Sequence, residues 1–240
     1  MRIAEKLAQK QKDNAHHGGV SIAFLGDSVT QGCFEIYKTA EGTVDTVYDQ
    51  QHSYAAGVWR ILSTLYPKCP IHVINAGISG DTAKGGFARL ERDVLRYAPD
   101  LCVVCYGLND CSSKPEGKDA YLASLRSILE TIKERGTEVI FMTPNRMNTY
   151  VSPHIVDPDF RLLAAKTAQK QNDGLFDSYM ESARELCREL EVAVCDCYAL
   201  WKRLFDNGVD TTELLANKIN HPTREMNRLF SYELVRCMLS

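Results

Sequence analysis

Short apolar runs alternate with amphipathic segments along this chain, and that alternation leaves few folds open. Residues 20–25 (Val-Ser-Ile-Ala-Phe-Leu), 71–74, 101–106, 138–142 and 192–196 are each too short for a buried helix. Most are also too uniformly apolar for a strand with one wet face. Between them lie segments with helical spacing. Residues 54–66 carry Ala55, Val58, Leu62 and Leu65, and a segment before Pro99 carries Phe87, Leu90, Val94 and Leu95. Residues 118–135 end at Gly136, and residues 175–190, 198–205 and 223–239 complete the set. Strand, helix, strand in repetition predicts a mainly parallel sheet with helices on both sides. A chain of 240 residues, 45% hydrophobic, can bury such a core. It is read as one domain over residues 20–240 behind an N-terminal segment, 1–19, with a short amphipathic helix around Ile3 and Leu7. Two small domains are the alternative.

In parallel sheets ligands bind at the carboxyl ends of strands. Here those ends carry Gly26-Asp27-Ser28 after the first run, Gly77-Ile78-Ser79-Gly80 after the second and Gly107-Leu108-Asn109-Asp110 after the third. Each alone reads as turn chemistry. Together they bring a hydroxyl, glycine backbone N–H groups and an amide to one sheet edge, and that convergence points to a site. The glycines fit neither a dinucleotide fingerprint nor a P-loop.

A formal net charge of −3 gives no general basic surface for phosphates, so nucleic acid is not an expected partner. Nine cysteines, several inside strand-like runs (Cys102, Cys105, Cys195, Cys197), read as free buried thiols in a reducing, cytoplasmic setting. Cys102 and Cys105 point to opposite strand faces, which argues against a metal or redox pair. The polar start has no signal-peptide core, and no apolar run reaches membrane-span length. His16 and His17 read as a solvated turn, His72 as a core or sheet-face residue, Trp59 as core. His154, between prolines, reads as an exposed loop residue and an acid/base candidate only in principle. Residues 33–51 lack a period and read as a loop insertion near Ser28. Residues 145–173 read as a long polar, mobile excursion.

The four blocks Gly26-Asp27-Ser28, Gly80 within residues 75–81, Gly107-Leu108-Asn109-Asp110 and His221-Pro222 resemble those of the SGNH (GDSL) hydrolase superfamily, in order and across nearly the whole chain. The resemblance implies a three-layer α/β/α sandwich on a flavodoxin-like, five-stranded sheet. It implies hydrolysis of carboxylic esters through an acyl-enzyme, without a cofactor. Carried over, Ser28 is the nucleophile and His221 the general base. The N–H groups of Ser28 and Gly80 with the Asn109 amide form the oxyanion hole. A serine hydroxyl needs a neighbouring base before it attacks. Each oxyanion donor is worth roughly 3 kcal/mol.

One position departs from the family pattern: where the triad aspartate stands, three residues before the histidine, this chain has Lys218. A nearby ammonium would lower the histidine pKa. Asn217 or a backbone carbonyl orienting the ring, a carboxylate from elsewhere, and a slow or inactive protein are the three outcomes left open. His221 is placed near a helix N-cap with Pro222 at N1, which also disfavours imidazolium. The expected substrate is a small-molecule or glycan ester with a short acyl group such as acetyl, and Tyr37, Tyr48, Tyr54 and Tyr150 are candidate cleft aromatics. Competing readings are a noncatalytic binding module, supported by Lys218, and phosphoryl transfer on Asp27 with Asp81 and Asp110 around Mg²⁺. Oligomeric state is not legible.

Overall fold

The computed structural model describes residues 1–112, 114 and 116–240. Five strands form one parallel sheet: β1 (Val20–Gly26), then β4 (Ile71–Gly77), β5 (Leu101–Cys105), β6 (Glu138–Met142) and β7 (Ala193–Cys195). Between β1 and β4 lies a separate antiparallel hairpin of β2 (Cys33–Lys38) and β3 (Val44–Tyr48). The order in the main sheet is β4-β1-β5-β6-β7. The chain therefore steps outward from β1 to β4, returns across β1 to β5, and continues to β7. Because parallel crossovers are right-handed, that reversal moves the connecting helices from one face to the other. Helix α3 (Tyr54–Leu65) packs with the C-terminal α9 (Arg224–Met238) on one side. Helices α4 (Ala83–Asp93), α5 (Gly117–Glu134) and α7 (Leu175–Glu189) form a row on the other. The three-layer α/β/α architecture is as expected, and the reversal point sits at β1 and β5, where Ser28 and Asn109 emerge.

The central strands β1 and β5 are buried on both faces, with Phe24, Leu25, Val103 and Val104 fully covered, which explains their unbroken apolar runs. Cys102 and Cys105 are buried in β5 as small apolar groups, and all nine cysteines are free. The first helix, α1 (Arg2–Lys12), puts Ile3 and Leu7 into the same core. Among the described residues no helix is long and apolar enough to cross a membrane.

Several expectations change. Most of residues 33–51 form the β2–β3 hairpin rather than an irregular loop, and the reason is visible in the register. Cys33 pairs with Tyr48 and Ile36 with Thr46, so two residues of β2 face one of β3. Such a bulge breaks the alternation by which a strand is recognised. Residues 145–173 are not a mobile excursion: they contain α6 (Pro158–Asn172), capped by Asp157 with proline at its first turn. Asn145 and Asn148 are fully buried and satisfy main-chain groups. Asn145 Nδ2 reaches the Asn220 carbonyl at 2.9 Å, and Asn148 Nδ2 the Ala164 carbonyl at 2.8 Å. These polar residues hold irregular backbone inside the protein. Ile155, Phe160, Ala164 and Ile219 form a small second core, with Ile36 of the hairpin packed on it. Trp59 and Phe87 are 46% and 44% exposed, on the outer faces of their helices rather than in the core. His72 lies exposed on the edge strand, and His154 is exposed as expected.

Candidate active site

Ser28 opens the four-residue helix α2 (Ser28–Gln31) directly beyond β1. The turn is tight because Gly26 has no side chain: a Cβ there would lie 2.6 Å from the Cys105 carbonyl oxygen and 2.1 Å from Thr30 Oγ1. Asp27 caps the helix, its Oδ1 accepting the Val29 N–H at 3.0 Å. His221 arrives from the other end of the chain, in the loop before α9. Its Nε2 lies 2.9 Å from Ser28 Oγ, and its Nδ1 lies 2.8 Å from the Phe34 carbonyl oxygen. A carbonyl can only accept, so Nδ1 carries the proton and Nε2 is free to accept the serine hydroxyl. Ser28 is 3% and His221 6% exposed, so the pair is largely shielded from water.

Burial pushes the His221 pKa below its ordinary value of 6.5, opposed by the Phe34 hydrogen bond and by the charge of Glu35. The ring is therefore neutral near pH 7. The two causes anticipated for this shift do not apply. The N-cap of α9 is Thr223, two residues beyond His221. Lys218 is turned away, its Nζ 2.8 Å from the Glu213 carbonyl and 2.9 Å from the Glu213 carboxylate. Asn217 does not orient the ring either. Its Oδ1 accepts the N–H groups of Ile219, Asn220 and His221 at 2.9–3.0 Å, which shapes the turn that delivers the histidine backbone. Of the options left open by the sequence, the structure contains the backbone carbonyl.

The remaining candidates meet Ser28 at the same sheet edge. Gly80 has φ of 78°, in the left-handed region, with open space where a Cβ would stand, so its conformation and not crowding requires glycine. Among the described residues the N–H groups of Ser28 and Gly80 donate to no protein acceptor. Asn109 Nδ2 donates one hydrogen to the Asp81 carbonyl at 3.0 Å, which fixes the amide beside Gly80 and leaves its second hydrogen free. Two main-chain donors and one amide hydrogen therefore remain unengaged at the ends of β1, β4 and β5, the kind of donors an oxyanion hole requires.

Each carboxylate nearby, Asp27 included, has at least one oxygen engaged. Asp110 Oδ1 accepts the Ala83 N–H at 2.8 Å, and Asp81 pairs with Arg89 at 2.7 Å. Among the described residues no group of three or more His, Cys, Asp or Glu side chains is arranged to hold a metal. Of the candidate aromatics, Tyr54 is fully buried against Thr30 and Tyr150 is tied to Asp210, while Tyr37 and Tyr48 stand exposed on the hairpin.

Two organising residues escaped the sequence reading. Arg89 reaches the Gly26 carbonyl at 3.0 Å, the Ala76 carbonyl at 2.7 Å and Tyr106 Oη at 2.9 Å, joining the ends of β1, β4 and β5. Its signal was present: it shares the buried stripe of α4 with Ala83, Gly86 and Leu90. Phe34 had none, because the group used is its carbonyl, which every residue has.

Residues 24–229 match the sequence model of the GDSL-like lipase/acylhydrolase family. An acetylxylan esterase of Geobacillus stearothermophilus is 28% identical over 186 residues, covering 72% of this chain and 81% of that protein. Among solved structures, a variant of an acetyl-xylooligosaccharide esterase from Geobacillus superposes with a TM-score of 0.67 at 23% identity, covering 92% of this chain and 94% of that one. A gut microbial diltiazem-metabolizing enzyme superposes with a TM-score of 0.68 at 19% identity over 92% of this chain; the chain spans 47% of that longer protein. At these identities the superpositions show the fold, and the sequence match shows the kinship: this chain belongs to the GDSL-like lipase/acylhydrolase family of ester hydrolases.

Proposed function

We propose that this protein is a serine esterase that cleaves short-chain carboxylic esters through an acyl-enzyme, with acetylated carbohydrate as its substrate class. The observation that carries the reading is the Ser28 Oγ–His221 Nε2 contact of 2.9 Å with Nδ1 already committed to a carbonyl. In this mechanism Ser28 Oγ attacks the acyl carbon while His221 Nε2 takes its proton. The carbonyl oxygen becomes an oxyanion, received by the Ser28 and Gly80 N–H groups and Asn109 Nδ2. The intermediate collapses, the ester C–O bond breaks, and the leaving alkoxide takes the proton from Nε2. Water then enters, gives a proton to His221 and attacks the acyl-serine, releasing the acid and restoring the hydroxyl.

The acetyl and carbohydrate assignment is supported by the acetylxylan esterase relative. The nine unpaired thiols support a reducing, cytoplasmic setting. The binding-module alternative rests on Lys218 standing where the triad carboxylate would be; the Phe34 carbonyl on His221 Nδ1 favours the esterase reading, because it gives the ring another orienting acceptor.

Hydrolysis of p-nitrophenyl acetate, butyrate and octanoate, and of acetylated xylo-oligosaccharides, by the wild type and by Ser28→Ala tests the proposal. Activity highest on acetyl esters and abolished in the variant is the expected result. A preference for octanoate would redirect the search to lipids. No Ser28-dependent turnover, together with no fluorophosphonate labelling of Ser28, would overturn the esterase reading.

A further inference from the structure

The group that meets His221 Nδ1 is a main-chain carbonyl in a strand, and a regular ladder would leave it pointing at the neighbouring strand. It is free because of the bulge. Between the pairs Cys33–Tyr48 and Ile36–Thr46, Phe34 and Glu35 face a single residue of β3. The Phe34 carbonyl accepts from His221 Nδ1 at 2.8 Å, and the Glu35 carbonyl accepts the Thr46 hydroxyl at 2.9 Å. A bulge re-aims groups but also loosens the strand that carries it.

One side chain grips both sides of this bulge. Arg224 Nη1 and Nη2 donate to the two Glu35 carboxylate oxygens at 2.8 and 3.3 Å, and Arg224 Nε donates to Asp49 Oδ2 at 2.8 Å. Its guanidinium carbon lies 4.2 Å from the centre of the Phe34 ring. Asp49 is fixed in turn, its N–H on the Gly32 carbonyl at 2.8 Å. Arg224 lies three residues beyond His221, so one short segment carries the imidazole and also holds the strand that orients it. The rigid fork of arginine suits this task, since it engages one carboxylate with two nitrogens and a second with the third.

We propose that the Glu35–Arg224–Asp49 cluster is a positioning device: it fixes the β2 bulge so that the Phe34 carbonyl orients His221, in place of a carboxylate three residues before the histidine. Arg224, Glu35 and Asp49 touch no reacting atom. Their side chains are 30%, 46% and 23% exposed. Ion pairs at that exposure contribute little to stability, so their variants fold and the consequence falls on geometry. The kinetic consequence rests on the esterase reading above; the structural one does not.

The test combines p-nitrophenyl acetate kinetics with the ¹H–¹⁵N resonance of the His221 ring in wild type, Arg224→Gln, Arg224→Lys and Glu35→Gln. Misplacing a reacting group by about 1 Å costs on the order of 100-fold, so Arg224→Gln is expected to lower kcat by about that factor with KM changed less than about twofold. The downfield, hydrogen-bonded Nδ1–H signal should weaken in parallel, and Arg224→Lys should recover only part of both. An unchanged kcat and Nδ1–H signal in Arg224→Gln would overturn the proposal. So would a fall in kcat with the signal intact, because the loss would then run by another route. If Arg224→Gln does not fold, Glu35→Gln is read by the same two criteria. A wild type without Ser28-dependent turnover would sink the esterase reading alone, and the Nδ1–H signal would still decide the clamp.

Discussion

His221 Nδ1 donates to the carbonyl oxygen of Phe34 at 2.8 Å, across 187 residues of sequence. A carbonyl dipole fixes the tautomer as a carboxylate does, but it brings no full charge to stabilise an imidazolium. Burial therefore dominates and lowers the pKa of the ring. The base must be neutral to act, so activity should persist as pH falls through 6.5 and fail only at the depressed value. The acid limb of kcat/KM against pH checks this; a limb above 6.5 would contradict it. The same shift contributes stability that is present above the unfolded value and lost as pH falls through the folded one.

Lys218 occupies the position of the missing carboxylate, yet its Nζ is held by Glu213 and its charge is not among the causes that shift His221. Lys218→Ala should keep kcat within about twofold, and its stability within about 1 kcal/mol, the usual worth of an exposed pair. Activity on p-nitrophenyl acetate and the urea midpoint measure both. An inactive but folded Lys218→Ala would mean that the lysine has a positive role in the chemistry.

The sheet and the positions of Ser28, Gly80 and Asn109 were legible because each signal is local. An apolar run ending in Gly-Asp-Ser is a strand and its turn, and topology then brings the strand ends together. His221 was legible only through resemblance, since nothing in its own neighbourhood points toward Ser28. What orients it was hidden for two physical reasons. The orienting atom belongs to the main chain, and the bulge that exposes it destroys the period-two pattern of residues 33–38. The burial of Asn145 and Asn148 was hidden for a related reason. Polar side chains that satisfy interior backbone look, in sequence, like those of a solvated loop.

Asn109 is the one side chain among the three proposed oxyanion donors, and its amide is already aligned by the Asp81 carbonyl. Asn109→Ala removes a donor whose partner develops charge only in the transition state. It should lower kcat by about 100- to 1,000-fold with little change in KM. Asn109→Asp should fall further, because it replaces the donor with a negative charge. Equal losses in Asn109→Ala through KM would assign the residue to substrate binding instead.

Asp27 supplies the last expectation, and it concerns stability. The residue is 1% exposed, and its Oδ2 has no hydrogen-bond partner among the described residues. Burial, with smaller contributions from the charges of Asp110 and Asp81, raises its pKa from 3.8 to about 7. A pKa raised in the folded state contributes stability that is full below the unfolded value and lost as pH rises through the folded one. Wild-type protein should therefore lose stability as pH rises from 3.8 to about 7, the interval in which Asp27 is ionised in the unfolded chain but still protonated in the core. Asp27→Asn keeps the oxygen that accepts the Val29 N–H and abolishes the titration. Its melting temperature relative to wild type should thus climb across that range. Asp110, also raised, to about 6, titrates in both proteins, so the difference between them isolates Asp27. Parallel melting curves at every pH would show that Asp27 is ionised throughout and that a partner of its second oxygen, such as a buried water, holds the charge.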